Sequence, residues 1–160
     1  MGRLESLHGQ RVYFDTNVFV YAIELNAGEI AVESLRAAVR AAQSIVSLSD
    51  NGEITAATSE LALMEVLVKP IQLGMTGLAD FYRSALQPGG QIDLVPIDRV
   101  ILETAAQLRA TTQLKSPDAI HLSSAMVSHC ETFICNDARL AKIVEETTAL
   151  KSIFLESFDN

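Results

Sequence analysis

Four acidic residues occupy positions where neither solubility nor packing alone explains a carboxylate. They are Asp15, Glu65, Asp118 and Asp137. Asp15 ends an apolar and aromatic run, and Glu65 shares a helix face with Leu61 and Val68, where an ionised carboxylate needs a partner. Each acid also has an ordinary structural interpretation: Asp118 as a first-turn helix acid, Asp137 as a helix cap and Glu65 as a solvated side chain. Their chemistry therefore depends on whether they meet.

Carboxylates that converge on one edge of a sheet would repel one another unless a cation lies among them. Carboxylate oxygen is a hard ligand, and no Cys or His stands at ligand spacing, so the predicted metal is Mg²⁺ or Mn²⁺. The softer cluster of His129, Cys130 and Cys135 is interpreted as structural rather than as a zinc site. Hard divalent ions held by acids most often serve phosphoryl chemistry.

Strand-like and helix-like segments alternate along the whole chain. Strands are predicted near residues 11–15, 54–57, 92–95, 133–135 and 152–155. Helices are predicted at 18–23, from Gly28 to just before Asp50, at 61–69, 78–86 and 99–111, from Ser116, and at 138–146. This alternation predicts one α/β domain over residues 1–160, with a parallel sheet covered by helices on both faces in three layers.

Several helix ends are predicted from capping and breaking residues. Thr58 and Ser59 are expected to cap the helix that carries Glu65, and Pro70 is expected to stop it. Asp98 and Asp137 are expected to cap later helices. In an open parallel sheet, ligands bind beyond the carboxyl ends of the strands, which is where Asp15 and Asp137 fall.

Composition excludes several classes of protein. The chain has 12 Lys plus Arg against 20 Asp plus Glu, a net charge of -8 and a pI near 4.8, which argues against broad phosphate neutralisation. Two cysteines are too few for a disulfide framework, and no segment is apolar enough for a signal peptide or a membrane span. A soluble, cytoplasmic protein without a membrane partner is expected.

The acidic motifs resemble those of PIN-domain ribonucleases, most closely the VapC-type toxins of toxin-antitoxin pairs. The resemblance spans residues 11–158 and depends on the order and spacing of short motifs. They are Phe14-Asp15-Thr16-Asn17-Val18, Ser59 with Glu65, Pro117-Asp118-Ala119-Ile120-His121, and Asn136-Asp137. The chain departs from many relatives at Cys135, where they carry Thr, and at Leu140, where an aromatic residue is common.

The resemblance implies a five-stranded parallel sheet and metal-dependent hydrolysis of RNA phosphodiester bonds. It implies that Asp15, Glu65, Asp118 and Asp137 are both the catalytic and the metal-binding acids. Polar groups that orient these acids are then expected at Thr16, Asn17, Ser59 and Asn136. It also implies an RNA substrate and a small antitoxin partner. A homodimer is expected as well.

Three residues near the motifs are left outside the catalytic set. His121 follows Asp118 by three residues and so shares its side of the helix, but a buried structural histidine is the favoured interpretation. Lys115 and Arg139 flank the third and fourth motifs and could meet phosphate, although solvated surface side chains explain them as well.

Other functions remain open at this stage. A catalytically silent PIN-like module that binds only a partner protein is the main alternative. A phosphoryl-acceptor receiver domain is disfavoured because no pair of acids precedes the strand that ends at Asp15, and a haloacid-type phosphatase because residue 17 is Asn.

Residues 69–90 carry more apolar side chains than a short helical hairpin needs for its own packing. They are Ile71, Leu73, Met75, Leu78, Phe81 and Tyr82. This segment is predicted to dock an apolar helix of the antitoxin, whose basic side chain would reach toward the acids. A role in covering the sheet, or in a homodimer contact, is the alternative.

Overall fold

The computed structural model describes residues 2–158. Residues 1, 159 and 160, which the predicted domain also includes, lie outside this range. The strands are β1 (Arg11–Phe14), β2 (Thr55–Ser59), β3 (Asp93–Val95), β4 (Thr132–Cys135) and β5 (Lys151–Phe154). They form a parallel sheet in the order β3-β2-β1-β4-β5. The predicted five-stranded parallel sheet is confirmed.

Eight α-helices are described. They are α1 (Gly2–Glu5), α2 (Thr16–Glu24), α3 (Glu33–Asp50), α4 (Leu61–Gln72), α5 (Thr76–Ala85), α6 (Arg99–Thr111), α7 (Ser116–Val127) and α8 (Ala138–Thr147). Short 3₁₀ turns lie at Ala27–Glu29 and Leu155–Ser157. Among residues 2–158, no helix combines the length and the apolar character that a bilayer span requires.

Strand β1 shows why the helices lie in two layers. Successive side chains of a strand point to opposite faces. Val12 and Phe14 pack in the core formed with helices α2 to α5, whereas Tyr13 packs in the core formed with α6 to α8. The Tyr13 ring stacks on Phe133 of β4, with ring centroids 5.1 Å apart. The predicted three-layer α/β fold is confirmed.

The strand order places a topological switch point between β1 and β4. The chain leaves β1 toward β2 on one side of the sheet and later returns to the other side through β4. Loops that diverge at such a point leave a crevice at the carboxyl ends of the strands. Asp15 follows β1 and Asp137 follows β4, so the chain delivers both acids to this crevice.

The long helix α3 begins later than the sequence suggested. It begins at Glu33 rather than after Gly28. The Asn26 side chain accepts a hydrogen bond from the Gly28 backbone at 3.0 Å and closes a separate 3₁₀ turn. The backbone at Ile30 and Val32 is extended, so the apolar spacing of this segment belongs to a turn and a linker.

The ends of α4 also differ from the prediction. Thr58 and Ser59 belong to β2, although the Ser59 hydroxyl accepts a hydrogen bond from the Leu61 backbone at 3.1 Å. Pro70 does not stop the helix, which ends at Gln72. A proline in the last turn removes one backbone hydrogen bond, and Pro70 is buried, so packing offsets that loss. The predicted caps at Asp98 and Asp137 are confirmed.

Candidate active site

Asp15 is a buried acid that does not cap the helix it precedes. It stands at the N-cap position of α2, yet its side chain makes no capping hydrogen bond. Only 8% of the residue is exposed. Burial raises the pKa of Asp15, and the charges of Asp118 and Glu65 raise it further, while His121 and the Thr16 backbone act in the opposite direction. Asp15 therefore holds its negative charge at a cost that a cation would relieve.

Glu65 is held in place by two side chains from other elements. The Thr16 hydroxyl donates to its Oε1 at 2.8 Å, and His121 Nε2 lies 2.5 Å from the same oxygen. Partial burial raises the pKa of Glu65, but the His121 hydrogen bond, the His121 charge and the Thr16 hydrogen bond outweigh burial and lower it. Thr16 thus holds the Glu65 carboxylate by a hydrogen bond.

His121 is buried and also belongs to the site. Its Nε2 lies 3.7 Å from Asp15 Oδ1 and 3.3 Å from the Thr16 hydroxyl, and 1% of the residue is exposed. Burial lowers the pKa of His121, but the hydrogen bond with Glu65 and the charges of Asp15, Glu65 and Asp118 outweigh burial and raise it. His121 is therefore a buried residue that also contacts acids of the candidate site.

The other ring nitrogen of His121 connects to the sheet. Its Nδ1 lies 2.7 Å from the Tyr13 hydroxyl, and the Ser59 backbone N–H donates to that hydroxyl at 2.9 Å. Burial raises the pKa of Tyr13, so the phenol remains protonated and can donate to Nδ1. The neutral imidazole then carries its proton on Nε2 and donates it to Glu65. A protonated imidazole also donates from Nε2, so the direction of the Glu65 contact is the same in both states.

Asp118 and Asp137 lie together at the starts of α7 and α8. Burial raises the pKa of Asp118, and the charges of Asp137 and Glu65 raise it further, while the charges of His121 and Lys115 lower it. Asp137 is exposed, and its carboxylate accepts a hydrogen bond from the Leu140 backbone at 2.9 Å. A small cleft of about 140 Å³ contains both acids together with Lys115 and Arg139.

The four acids therefore form one electrostatic group rather than a finished cage. Asp15 interacts with Asp118 and Glu65, and Asp118 interacts with Asp137. Within residues 2–158, no set of three or more His, Cys, Asp and Glu side chains has an arrangement that could hold a metal ion. The donor chemistry nevertheless fits Mg²⁺ or Mn²⁺, because the acids offer hard oxygen ligands and repel one another without a cation.

The remaining predicted polar groups lie at different distances from this group. Ser59 reaches it indirectly, through Tyr13 and His121. Asn17 is exposed at the start of α2. The Asn136 amide donates to the Tyr21 hydroxyl and to Glu156, and its oxygen accepts from the Glu156 backbone. Asn136 thus ties the end of β4 to α2 and to the last 3₁₀ turn, and these contacts involve none of the four acids.

The cysteines have structural surroundings. The Cys135 thiol contacts the Asp137 carbonyl oxygen at 3.5 Å, and burial raises its pKa to about 12. Cys135, where the sequence departs from the motifs it resembles, thus carries a protonated thiol. Cys130 lies 3.4 Å from the Ser128 hydroxyl, before β4 and away from its carboxyl end. Both thiols are buried and free.

Sequence reasoning missed Tyr13 and left His121 out of the catalytic set. Tyr13 lies within a strand among other apolar residues, where an aromatic side chain normally indicates only packing. Its hydroxyl gains significance from His121, which is 108 positions away in the chain. The i,i+3 spacing of Asp118 and His121 was the one signal available, and it does not reveal that His121 contacts Glu65.

An exposed apolar surface extends along α4 and α5. Ile71, Leu73, Met75 and Phe81 are exposed, together with Met64 and Val68. Tyr82, by contrast, is buried and donates a hydrogen bond to Glu24 at 2.6 Å. We call Met64, Val68, Ile71, Leu73, Met75 and Phe81 the α4–α5 surface. Of the six apolar residues predicted to form a docking surface, four are exposed, whereas Leu78 is partly buried against the core and Tyr82 is fully buried.

Several solved structures share this fold. The chain is similar to a toxin-antitoxin complex from Klebsiella pneumoniae, with 22% identity, a TM-score of 0.57, and coverage of 80% of this chain and 88% of the other. It is similar to VapBC2 from Rickettsia felis bound to a promoter DNA fragment, with 16% identity, a TM-score of 0.58, and coverage of 89% and 97%. It is also similar to FitAcB from Neisseria gonorrhoeae, with 14% identity, a TM-score of 0.57, and coverage of 92% of this chain and 99% of the other.

At these identities the solved structures establish the fold alone, and a search of curated proteins found no match. The family is established by sequence. A family model described as PIN domain matches residues 12–146, which include all four acids. The chain therefore belongs to the PIN domain family.

Proposed function

We propose that this protein is a metal-dependent ribonuclease that acts as the toxin of a toxin-antitoxin pair. PIN domains are nucleases, so hydrolysis of a phosphodiester bond is the expected reaction class. The observation that carries the proposal is the electrostatic group of Asp15, Glu65, Asp118 and Asp137 at the switch point of the sheet. A silent binding module would have no need to retain four acids that repel one another.

The proposed metal is Mg²⁺ or Mn²⁺, and the proposed ligands are the same four acids. The ion would activate a water molecule and take up negative charge that develops on the phosphate oxygens. The surrounding side chains prepare the site. Thr16 and His121 fix the orientation of Glu65, and burial of Asp15 keeps bulk water away from its carboxylate.

The proposed partner is a small antitoxin that binds the α4–α5 surface. An apolar cleft of about 430 Å³ lies beside α4 and adjoins this surface at Met64. Its other apolar lining includes Leu63, Leu67 and Leu86. The cleft also includes Glu60, at the start of the helix that carries Glu65. An amphipathic helix laid in this cleft could direct a basic side chain toward the acids, and the net charge of -8 favours a basic partner.

The cytoplasm is the proposed compartment, because RNA and a co-produced antitoxin would both be encountered there. A homodimer is also proposed, and sedimentation of the purified chain would test it. A dimer would leave the site on each protomer intact, since all four acids come from a single chain.

The test of this function has two readouts on the purified chain. We expect the protein to cleave single-stranded RNA when Mn²⁺ is present, and we expect EDTA to prevent cleavage. We also expect Mn²⁺ to stabilise the folded chain by about 2.7 kcal/mol at a hundred times its dissociation constant. For a chain of this size that is a rise of roughly 5 to 10 °C in Tm. Equal Tm values in EDTA and Mn²⁺, without cleavage, would favour the silent binding module.

A further inference from the structure

About half of the basic side chains in the described part of the protein form an ion pair with an acidic neighbour. Those with a carboxylate within 4.0 Å are Arg11, Arg36, Lys69, Arg83, Arg99 and Lys142. The basic side chains described without such a partner are Arg40, Arg109, Lys115, Arg139 and Lys151. Five described cations of this acidic protein thus stand outside the ion pairs, and three of them lie close together.

Three of these unpaired cations surround the loop between α6 and α7. The Arg109 Nε donates to the Leu114 carbonyl at 3.1 Å, and the Arg139 Nη2 donates to the Gln113 carbonyl at 3.4 Å. Lys115 is the N-cap residue of α7 and ends the same loop. The cations come from α6, the loop itself and α8, so the fold, and not local sequence, brings them together.

This loop borders the cleft that contains Asp118 and Asp137. Lys115 and Arg139 line the cleft with these acids. Lys115 precedes Asp118 by three residues and Arg139 follows Asp137 by two, but neither cation lies within the 4.0 Å of an ion pair. Both are exposed, and Arg139 donates only one N–H to the loop carbonyl. The cations and acids thus share a cleft without a direct ion pair, and Lys115 acts on Asp118 only through its charge at longer range.

We propose that Lys115 and Arg139 bind a backbone phosphate of the RNA substrate beside Asp118 and Asp137. This inference rests on the proposed ribonuclease function and adds the group that holds the substrate. Arginine has several donors in a planar fork that fits phosphate oxygens, and lysine supplies a compact positive charge. Arg109 has a supporting role, because its Nε is used to hold the loop.

Such a cleft resolves a difficulty of the overall charge. A chain with a net charge of -8 repels an RNA backbone over most of its surface. Two unpaired cations at the cleft provide local attraction where a metal would neutralise the acids. Phosphate contacts fix the register of a nucleic acid without reading bases, so this pair would position the scissile bond without selecting a sequence.

The test compares Lys115→Gln and Arg139→Gln with Lys142→Gln. Lys142 lies on α8 like Arg139 and pairs with Glu146 away from the cleft, so its variant removes the same charge from the same helix. Cleavage of single-stranded RNA in Mn²⁺ is measured over a range of salt concentrations. Each cleft variant should lower kcat/KM roughly tenfold, mainly through KM, as expected for a lost charge-assisted hydrogen bond.

The salt dependence separates a phosphate contact from a general change in charge. The slope of log(kcat/KM) against log[salt] should become shallower by about 0.7 for each cleft variant, the value for one phosphate contact to a single strand. Slopes and KM values equal to those of Lys142→Gln would overturn the proposal while leaving the ribonuclease function in place. Unchanged Tm values would show that the cleft variants fold.

Failure of the ribonuclease function gives a different result. If the wild-type chain does not cleave RNA in Mn²⁺, fluorescence anisotropy with a labelled oligouridylate in Mn²⁺ still tests the cleft. Weaker binding by Lys115→Gln and Arg139→Gln than by Lys142→Gln would then support a phosphate site. Equal binding by all variants would overturn it.

Discussion

The His121 imidazole and the Glu65 carboxylate lie 2.5 Å apart. His121 belongs to α7 and Glu65 to α4, and these helices cover opposite faces of the sheet. The other ring nitrogen of His121 contacts the hydroxyl of Tyr13, which belongs to β1. Glu65 is therefore fixed by the sheet through Tyr13 and His121, and by α2 through Thr16. The position of this acid is a property of the whole fold.

Two substitutions distinguish the contacts that the two ring nitrogens of His121 make, Nδ1 with Tyr13 and Nε2 with Glu65. An Asn side chain can reach Tyr13 but not Glu65, whereas a Gln side chain can place its amide near Nε2 and donate to Glu65. We expect His121→Asn to weaken Mn²⁺ binding about 10- to 100-fold, the usual cost of losing a group that orients a metal ligand. We expect His121→Gln to retain more of the affinity. Calorimetric titration with Mn²⁺ measures both, and equal affinity for the wild type and both variants would argue against this role.

The Tyr13 hydroxyl should matter for stability as well as for the site. Tyr13→Phe leaves the Ser59 N–H and His121 Nδ1 without their shared partner in a buried region. We expect a loss of about 1 to 3 kcal/mol in the free energy of unfolding, measured with urea. Phe133→Leu is a size-reducing control at the adjacent ring, and it should not affect Mn²⁺ affinity. A Tyr13→Phe protein as stable as the wild type would contradict this account of the hydroxyl.

The metal-free protein should lose stability as the pH rises above 6.5. The pKa of His121 is raised from 6.5, so its protonated form stabilises the fold below that value, and this contribution disappears as the pH rises through the folded-state pKa. The raised pKa values of Asp15 and Asp118 also lower stability as the pH rises above 3.8, because ionisation of each acid disfavours the folded state. The lowered pKa of Glu65 acts in the opposite direction, but its contribution is complete above pH 4.5 and does not alter the slope above 6.5. Urea unfolding in EDTA at several pH values measures the slope. His121→Asn should flatten it, and a free energy that rises with pH in the wild type would contradict the prediction.

The antitoxin surface can be tested without disturbing the core. Ile71→Asp and Phe81→Asp change exposed residues of the α4–α5 surface, whereas Tyr82 is unsuitable because it is buried. Val100→Asp is the matched control, since Val100 is an exposed apolar residue on α6, across the sheet. After co-expression with the neighbouring reading frame, the two α4–α5 variants should lose the co-purifying protein and the control should keep it. Retention by all three folded variants would move the docking site elsewhere.

Much of the fold could be predicted because its signals are local. The alternation of strands and helices and the caps at Asp98 and Asp137 depend on residues that are close in sequence, and both were confirmed. The predicted start of α3 was wrong because the Asn26 side chain closes a separate turn before Glu33. The predicted end of α4 was wrong because packing of Pro70 lets the helix continue to Gln72.

The site was less accessible to sequence reasoning. Acid positions and the role of Thr16 follow from motifs, but the Tyr13–His121–Glu65 connection joins residues from β1, α7 and α4. The Asn136 contacts to Tyr21 and Glu156 are similarly distant in sequence. A spacing rule cannot show which partner a polar side chain selects across the sheet.

The most direct measurement is RNA cleavage in Mn²⁺ by the wild type and by Asp15→Asn, together with the Tm of both proteins in EDTA. Asn is nearly isosteric, removes a buried charge and relieves its repulsion with Asp118 and Glu65. We predict that cleavage falls by at least about a hundredfold, beyond the usual cost of changing an orienting group, while the metal-free Tm holds or rises. Cleavage at the wild-type rate by the folded Asp15→Asn protein would contradict the proposed metal-dependent mechanism.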